Sequence, residues 1–183
     1  MSATATSSAT TATAFTAHTV ETAPPASRPA MEAVTRAFGE LPDAVAKLAE
    51  SPELLTGFLE MSRSFERATL EPLARETVIM TVAVRNGCCV CVALHTGRLR
   101  DLGADAALIA ALRTGAELPA DQGRLAAVRR FALRVLATSG GVDDTDLKDF
   151  LDHGHTRRNA LEVVHGIGTY TMSTLANRLV RAV

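Results

Sequence analysis

The sequence predicts an all-α protein, and three observations carry that expectation. Apolar positions recur near a 3.6-residue period, while strand-like alternation is nearly absent. From residue 30 onward, helix start and stop residues punctuate the chain. Aromatic residues make up only 4%, with one tyrosine and no tryptophan, so a core must be built from Ala, Val, Leu, Ile and Met, a composition suited to packed helices.

Residues 1–29 differ in kind from the rest. Ser, Thr and Ala dominate to residue 20, and Pro24, Pro25 and Pro29 follow, so the segment offers little surface to offset the entropy of ordering. It is read as a disordered tail. It lacks the basic start and apolar stretch of a secretory signal, and its first arginine is Arg28, too late for a mitochondrial presequence; the expected location is the cytoplasm. Residues 30–183 are read as one helical domain, about 155 residues, a size that buries roughly 70% of the unfolded surface.

Within that domain, Ser51 and Pro52 supply a cap and a first-turn proline for a helix carrying Leu54, Leu55, Phe58, Leu59, Met61 and Phe65. Thr69 to Pro72 opens the next. Its run Thr77–Val84 is β-branched at most positions and by propensity alone also suits a buried strand. Glu71-Pro72 as a start signal and the length from Leu73 to Asn86 predict a buried helix instead. Asn86-Gly87 then supplies a turn, Cys88–Leu102 a helix, and Gly103 its end. Further helices are predicted over Asp105–Arg113, Asp121–Thr138 (ended by Gly140-Gly141), Asp144–His153 and Thr156–Ala182.

Composition removes several classes of function. Nineteen basic and twenty acidic residues leave a net charge of −1, with no excess to hold a phosphate backbone or an anionic membrane surface. The longest apolar run, Val78–Val84, is far shorter than the roughly 20 residues that cross a bilayer. The three cysteines, Cys88, Cys89 and Cys91, lie within four positions and cannot staple distant parts of a fold.

They belong to one local site instead. The stretch Asn86-Gly87-Cys88-Cys89-Val90-Cys91-Val92-Ala93-Leu94-His95 runs from a turn into a helix. There Cys88, Cys91 and His95 sit at i, i+3 and i+7 and share one face, while Cys89 points elsewhere. Cys88 and Cys91 fall in the first turn, where free N–H groups and the helix dipole favour a thiolate, the reactive form of a thiol. His95, one turn beyond Cys91, titrates near neutral pH and can exchange a proton with it. A base needs an orienting partner, and Glu76, the one acidic residue between Arg75 and Arg100, is the candidate.

Other readings of these residues exist. The cysteines could be small buried hydrophobes beside a core histidine. A structural zinc site would need a distant fourth ligand, from His153, His155 or His165, and no second cysteine pair is present. A thioredoxin-like fold is argued against by the missing Trp-Cys-Gly-Pro-Cys context and by the lack of any proline after Pro119. His153 and His155 in a turn, and His165 in an apolar helix, are read as exposed or core-packed; Arg129-Arg130 and Arg157-Arg158 are read as solvated faces. Glu162-Val-Val-His faintly echoes Glu76-Thr-Val-Ile, each a Glu opening an apolar helix.

Glu76, twelve positions before Cys88, followed by Cys91 and His95 in a helical chain, resembles the alkyl hydroperoxidase D (AhpD-like) branch of the carboxymuconolactone decarboxylase family. The motif spans residues 76–95, the flanking Leu41–Leu102 has the family's look, and the closing helix around Glu162–Asn177 is compatible with it. The resemblance implies an all-α AhpD-like helical bundle assembled into homo-oligomers, trimers or larger, and a cofactor-free, metal-free thiol peroxidase. It implies that Cys91 is the peroxidatic thiol, that Glu76 and His95 relay its proton, and that Cys88 resolves by closing a Cys88–Cys91 disulfide. The substrate would be a hydroperoxide, and the reductant a thioredoxin-type protein, a lipoyl group or a small thiol. One relay position departs from the family pattern, since Val90 stands where a second histidine is usual. Cys89 is a further departure. The family's decarboxylases lack the cysteine pair, so lactone decarboxylation is a poor reading. The alternative function is a non-catalytic redox-sensing or interaction oligomer whose dithiol switches without turnover.

Overall fold

The computed structural model describes residues 14–182, and every structural statement below concerns these. Nine α-helices and one short 3-10 turn, Pro25–Ser27, make up its regular structure, with no strand among the described residues. The helices are α1 (Arg28–Phe38), α2 (Asp43–Leu48), α3 (Pro52–Glu66), α4 (Pro72–Arg85), α5 (Cys89–Asp101), α6 (Ala106–Thr114), α7 (Gly123–Thr138), α8 (Asp144–Asp152) and α9 (Arg157–Leu179). No helix is long and apolar enough to cross a membrane.

The core is organised around α4, which packs against α5, α6, α7 and α9. That central position explains its uniform apolarity: Val78, Met80, Val82 and Ala83 are completely enclosed. The β-branched run that also suits a strand is helical because burial on all sides rewards the long helix and because its threonines satisfy themselves locally. Thr77 Oγ1 donates to the Leu73 carbonyl at 2.8 Å and Thr81 Oγ1 to the Thr77 carbonyl at 2.6 Å, so neither hydroxyl is stranded in the core. Around α4 a single cluster joins Phe65, Leu99, Leu108, Val128, Phe150 and Val163 from six other helices.

The caps fall where the sequence places them. Ser51, Asp105 and Thr156 each accept a backbone N–H at the start of α3, α6 and α9, and Thr156 forms a reciprocal capping box with Asn159. Asp143 caps α8 in the same manner.

The amino-terminal segment corrects the sequence reading. The expected tail ran to residue 29, but residues 14–29 are described, and the part from His18 onward packs on the domain. The His18 N–H donates to the Ala46 carbonyl at 3.1 Å, and Ser27 Oγ donates to the Ala49 carbonyl at 2.6 Å. Ala23 and Ser27 are buried, Ala23 in a second cluster with Met31, Leu48, Leu55 and Val180. Pro29, read as tail punctuation, lies in the first turn of α1, where a proline costs no hydrogen bond. Residues 1–13, the most Ser/Thr/Ala-rich part of the expected tail, lie outside the described residues.

Candidate active site

The site forms where α4, α5 and α9 meet. Asn86 and Gly87 end α4, Gly87 taking a positive φ of 64° that turns the chain into α5. Cys88 is the N-cap of α5, with extended backbone, and Cys91 lies one turn in. Both thiols are free and buried, whereas Cys89 is exposed, as the helical spacing requires.

The two buried sulfurs are coupled. The Cys91 thiol donates toward Cys88, and this interaction is the strongest of those that draw the Cys88 pKa down to about 6. Burial opposes it; the Asn177 side chain and the N–H groups of Cys91 and Val90 assist. No side chain caps α5 through a hydrogen bond of normal length, so these N–H groups act as the positive end of the helix rather than as a closed cap. Cys91 moves the opposite way: the thiol that donates to a neighbouring charge is held protonated, and burial adds to the effect. The expectation that the helix terminus favours a thiolate at both cysteines is thus corrected. One charge is stabilised, and it rests on Cys88, because a second beside it is repelled.

Glu76 and His95 meet as expected. Glu76 Oε2 and His95 Nδ1 are 2.7 Å apart, and both residues are buried. Such a bond fixes the imidazole and turns its other nitrogen outward. Among the described residues no hydrogen bond joins His95 to either sulfur. The Tyr170 ring packs edge-on against His95 at 5.3 Å between centroids, and burial first, then the carboxylates of Glu76 and Glu66, push its pKa up to about 12 against the opposing Ser62 hydroxyl.

Two openings flank this arrangement. A cavity of about 150 Å³ is lined by Glu76, His95, Arg75, Arg98 and Tyr170. A second, of about 210 Å³, is lined by Gly87, Cys88, Cys89, Asn177, Arg178 and Arg181. A larger surface cavity, of about 390 Å³ beside Pro119 and Arg130, contains none of the site residues.

Sequence reasoning missed Asn177 and Ser173. Asn177 Nδ2 lies 3.5 Å from Cys91 Sγ and 3.9 Å from Cys88 Sγ, and Ser173 also favours the charged form of Cys91. A signal was present: Tyr170, Ser173, Thr174 and Asn177 follow i, i+3, i+4, i+7 and form a polar stripe on the buried face of α9.

The remaining histidines are structural. His155 stacks on Phe150 with centroids 4.4 Å apart and bonds the Arg124 carbonyl, and His165 packs against the edge of Phe65. No group of three or more His, Cys, Asp or Glu able to hold a metal occurs among the described residues. Arg129 is not a solvated side chain as read, because its guanidinium donates to the Gly115 and Ala116 carbonyls. Glu162, the echo of Glu76, receives the N–H groups of Thr69 and Leu70, both at 2.9 Å, and so ties α9 to the start of α4.

This fold and dithiol define a class. Residues 49–134, which contain Glu76, Cys88, Cys91 and His95, match the carboxymuconolactone decarboxylase family. The fold is AhpD-like. A structure described as an alkylhydroperoxidase AhpD core, an uncharacterised peroxidase-related protein from Ralstonia eutropha JMP134, superposes with a TM-score of 0.77 at 21% identity, covering 90% of this chain and 87% of that one. An uncharacterised peroxidase-related protein from Silicibacter sp. TM1040 superposes with a TM-score of 0.78 at 19% identity, covering 94% and 92%. No curated protein matches the sequence. The resemblance drawn from the motif is thereby supported in its fold, and the family match spans the motif.

Proposed function

We propose that this chain is a thiol-dependent peroxidase that reduces hydroperoxides through a Cys88/Cys91 dithiol–disulfide cycle. The observation that carries the reading is the pair itself: two buried thiols that both face Asn177 Nδ2 and share one charge, on the helix whose His95 meets the buried Glu76 of α4. A merely structural pair needs neither the charge nor the buried acid.

The cycle balances as follows. A thiolate of the pair attacks one oxygen of ROOH, giving a sulfenic acid and RO⁻, which takes a proton from water and leaves as ROH. The second thiol condenses with the sulfenic acid, forming the Cys88–Cys91 disulfide and releasing water. A dithiol of thioredoxin, lipoyl or small-molecule type then exchanges with the disulfide and is itself oxidised. Glu76 holds His95 in place to receive the proton that the pair gives up.

The resemblance assigns the first attack to Cys91. For that, the Cys91 proton passes to Cys88 along the bond between them. The resting charge on Cys88, and its position on the cavity wall, favour a second reading in which Cys88 attacks and Cys91 resolves. Assembly into homo-oligomers belongs to the same proposal. Its support is the apolar stripe Leu161, Val164, Leu175 and Leu179, exposed along the outer face of α9.

Steady-state consumption of cumene hydroperoxide with dithiothreitol tests the function. Many turnovers in the wild type, and loss of turnover in both Cys88→Ser and Cys91→Ser, are expected. Trapping of the sulfenic acid in the single variants identifies the attacking sulfur. One oxidation per molecule without turnover would make the chain a redox sensor, and full activity in Cys91→Ser would remove the dithiol from the mechanism.

A further inference from the structure

Asn177 carries an unused hydrogen-bonding atom at the dithiol. The residue is 6% exposed, its Nδ2 faces both sulfurs, and its Oδ1 is buried with no partner among the described residues. A buried amide oxygen left unpaired costs free energy, and such atoms are rare in folded chains. The residue also lines the 210 Å³ cavity that opens on Cys88. A turn of the side chain presents this acceptor to the cavity, where it calls for a ligand with a donor, and a hydroperoxide has one in its terminal O–H.

We propose that this cavity is the hydroperoxide site and that Asn177 is a catalytic residue of it: Oδ1 accepts the hydroperoxide O–H while Nδ2 steadies the sulfur charge, holding the O–O bond beside the thiolate. The inference rests on the peroxidase reading. The site suits attack by Cys88, which lines the cavity, with Cys91 resolving. Attack breaks the O–O bond, leaves OH on sulfur and sends the electron pair away on RO⁻. Arg178 lies at the same mouth, its Nη1 donating to the Asn86 carbonyl at 2.6 Å, and Arg181 lines the wall beside it. Neither arginine is paired with a carboxylate among the described residues, and no acidic residue lines the cavity, so the leaving oxygen meets positive charge only.

The test separates holding the peroxide from stabilising the thiolate. Single-turnover oxidation by cumene hydroperoxide and alkylation by iodoacetamide are measured side by side on the wild type and on Asn177→Ala. Both rates fall with the lost Nδ2 bond, but the oxidation rate falls further. The ratio of oxidation to alkylation drops about three- to tenfold, the worth of one neutral hydrogen bond. An unchanged ratio overturns the inference, since Asn177 then serves the sulfur alone. A wild type that alkylates normally but resists cumene hydroperoxide fails the peroxidase reading itself, and the site falls with it.

A measurement on the unmodified chain stands even if Asn177→Ala does not fold. Cumyl alcohol, which keeps the O–H, protects the dithiol from iodoacetamide saturably, and cumyl methyl ether, which lacks it, does not. Equal protection by both, or none by either, overturns the assignment.

Discussion

Removal of the Cys91 thiol tests the electrostatics of the site most sharply. In a Cys89→Ser background, Cys91→Ala leaves Cys88 as the one thiol and deletes the strongest of the interactions that lower its pKa to about 6 from an ordinary 9.0. A thiol titrating at about 6 is roughly 90% ionised near pH 7, and one titrating at about 9 roughly 1%. Asn177 and the N–H groups of α5 remain, so the midpoint rises by about one unit or more without recovering the whole difference. The ionised fraction near pH 7 therefore falls to roughly one half or less. Cys91→Ser keeps an O–H donor in the same place and holds the midpoint within about half a unit of the parent. The direction follows from the sign: a depressed pKa means that the thiolate is lost only as pH falls through about 6, and without the Cys91 donor it is lost at higher pH. The ultraviolet absorbance of the thiolate, followed across pH in the three proteins, reads the midpoint directly. A Cys91→Ala midpoint unchanged from the parent, or Ala and Ser variants that titrate alike, would refute the shared-proton account.

Three further outcomes are expected. Glu76→Gln slows hydroperoxide turnover by about tenfold or more, because His95 loses the carboxylate that orients it for the relay, yet leaves the Cys88 titration in place; unaltered turnover contradicts the relay. Gly166→Ala places a Cβ 2.5 Å from Phe65 Cζ and 3.0 Å from Val78 Cγ1, both in fully packed side chains, and destabilises the fold by about 1–3 kcal/mol in urea unfolding; an unmoved midpoint would show slack at the α3, α4 and α9 crossing. Glu162→Ala strands the Thr69 and Leu70 N–H groups and costs about 2–4 kcal/mol, with Glu162→Gln milder because one acceptor oxygen survives; equal losses in the two variants would refute the capping role.

Much of this arrangement is legible in the chain because its chemistry is local. The helix face shared by Cys88, Cys91 and His95 follows from spacing alone, and the pairing of His95 with Glu76 follows from there being one acid near an apolar run. Helix ends at Ser51, Pro72, Asp105 and Thr156 are equally local, since the capping atom lies within three residues of the N–H it serves or the proline sits in the first turn. The features missed depend on contacts between distant parts of the chain. Asn177 reaches the sulfurs across 86 positions and Glu162 reaches Thr69 across 93, so neither role is readable before α9 is docked. Helices α1 and α2 and the packed residues from His18 were overlooked because their composition alone buries too little. They are held by the Ser27–Ala49 and His18–Ala46 bonds and by the seat that Met31 and Ala23 find beside Leu55 and Val180. The partition of charge within the dithiol was likewise out of reach. Helix position treats the two cysteines alike, and only the bond between them separates their roles.

The central claim is that Cys88 and Cys91 form a redox dithiol that a hydroperoxide oxidises. Intact mass and free-thiol count, before and after one equivalent of cumene hydroperoxide, test it most directly when combined with peptide mapping of any bridge. The account predicts a loss of two hydrogens and a Cys88–Cys91 link with Cys89 still free. Unchanged thiols, or a stable bridge that includes Cys89 instead, would contradict it.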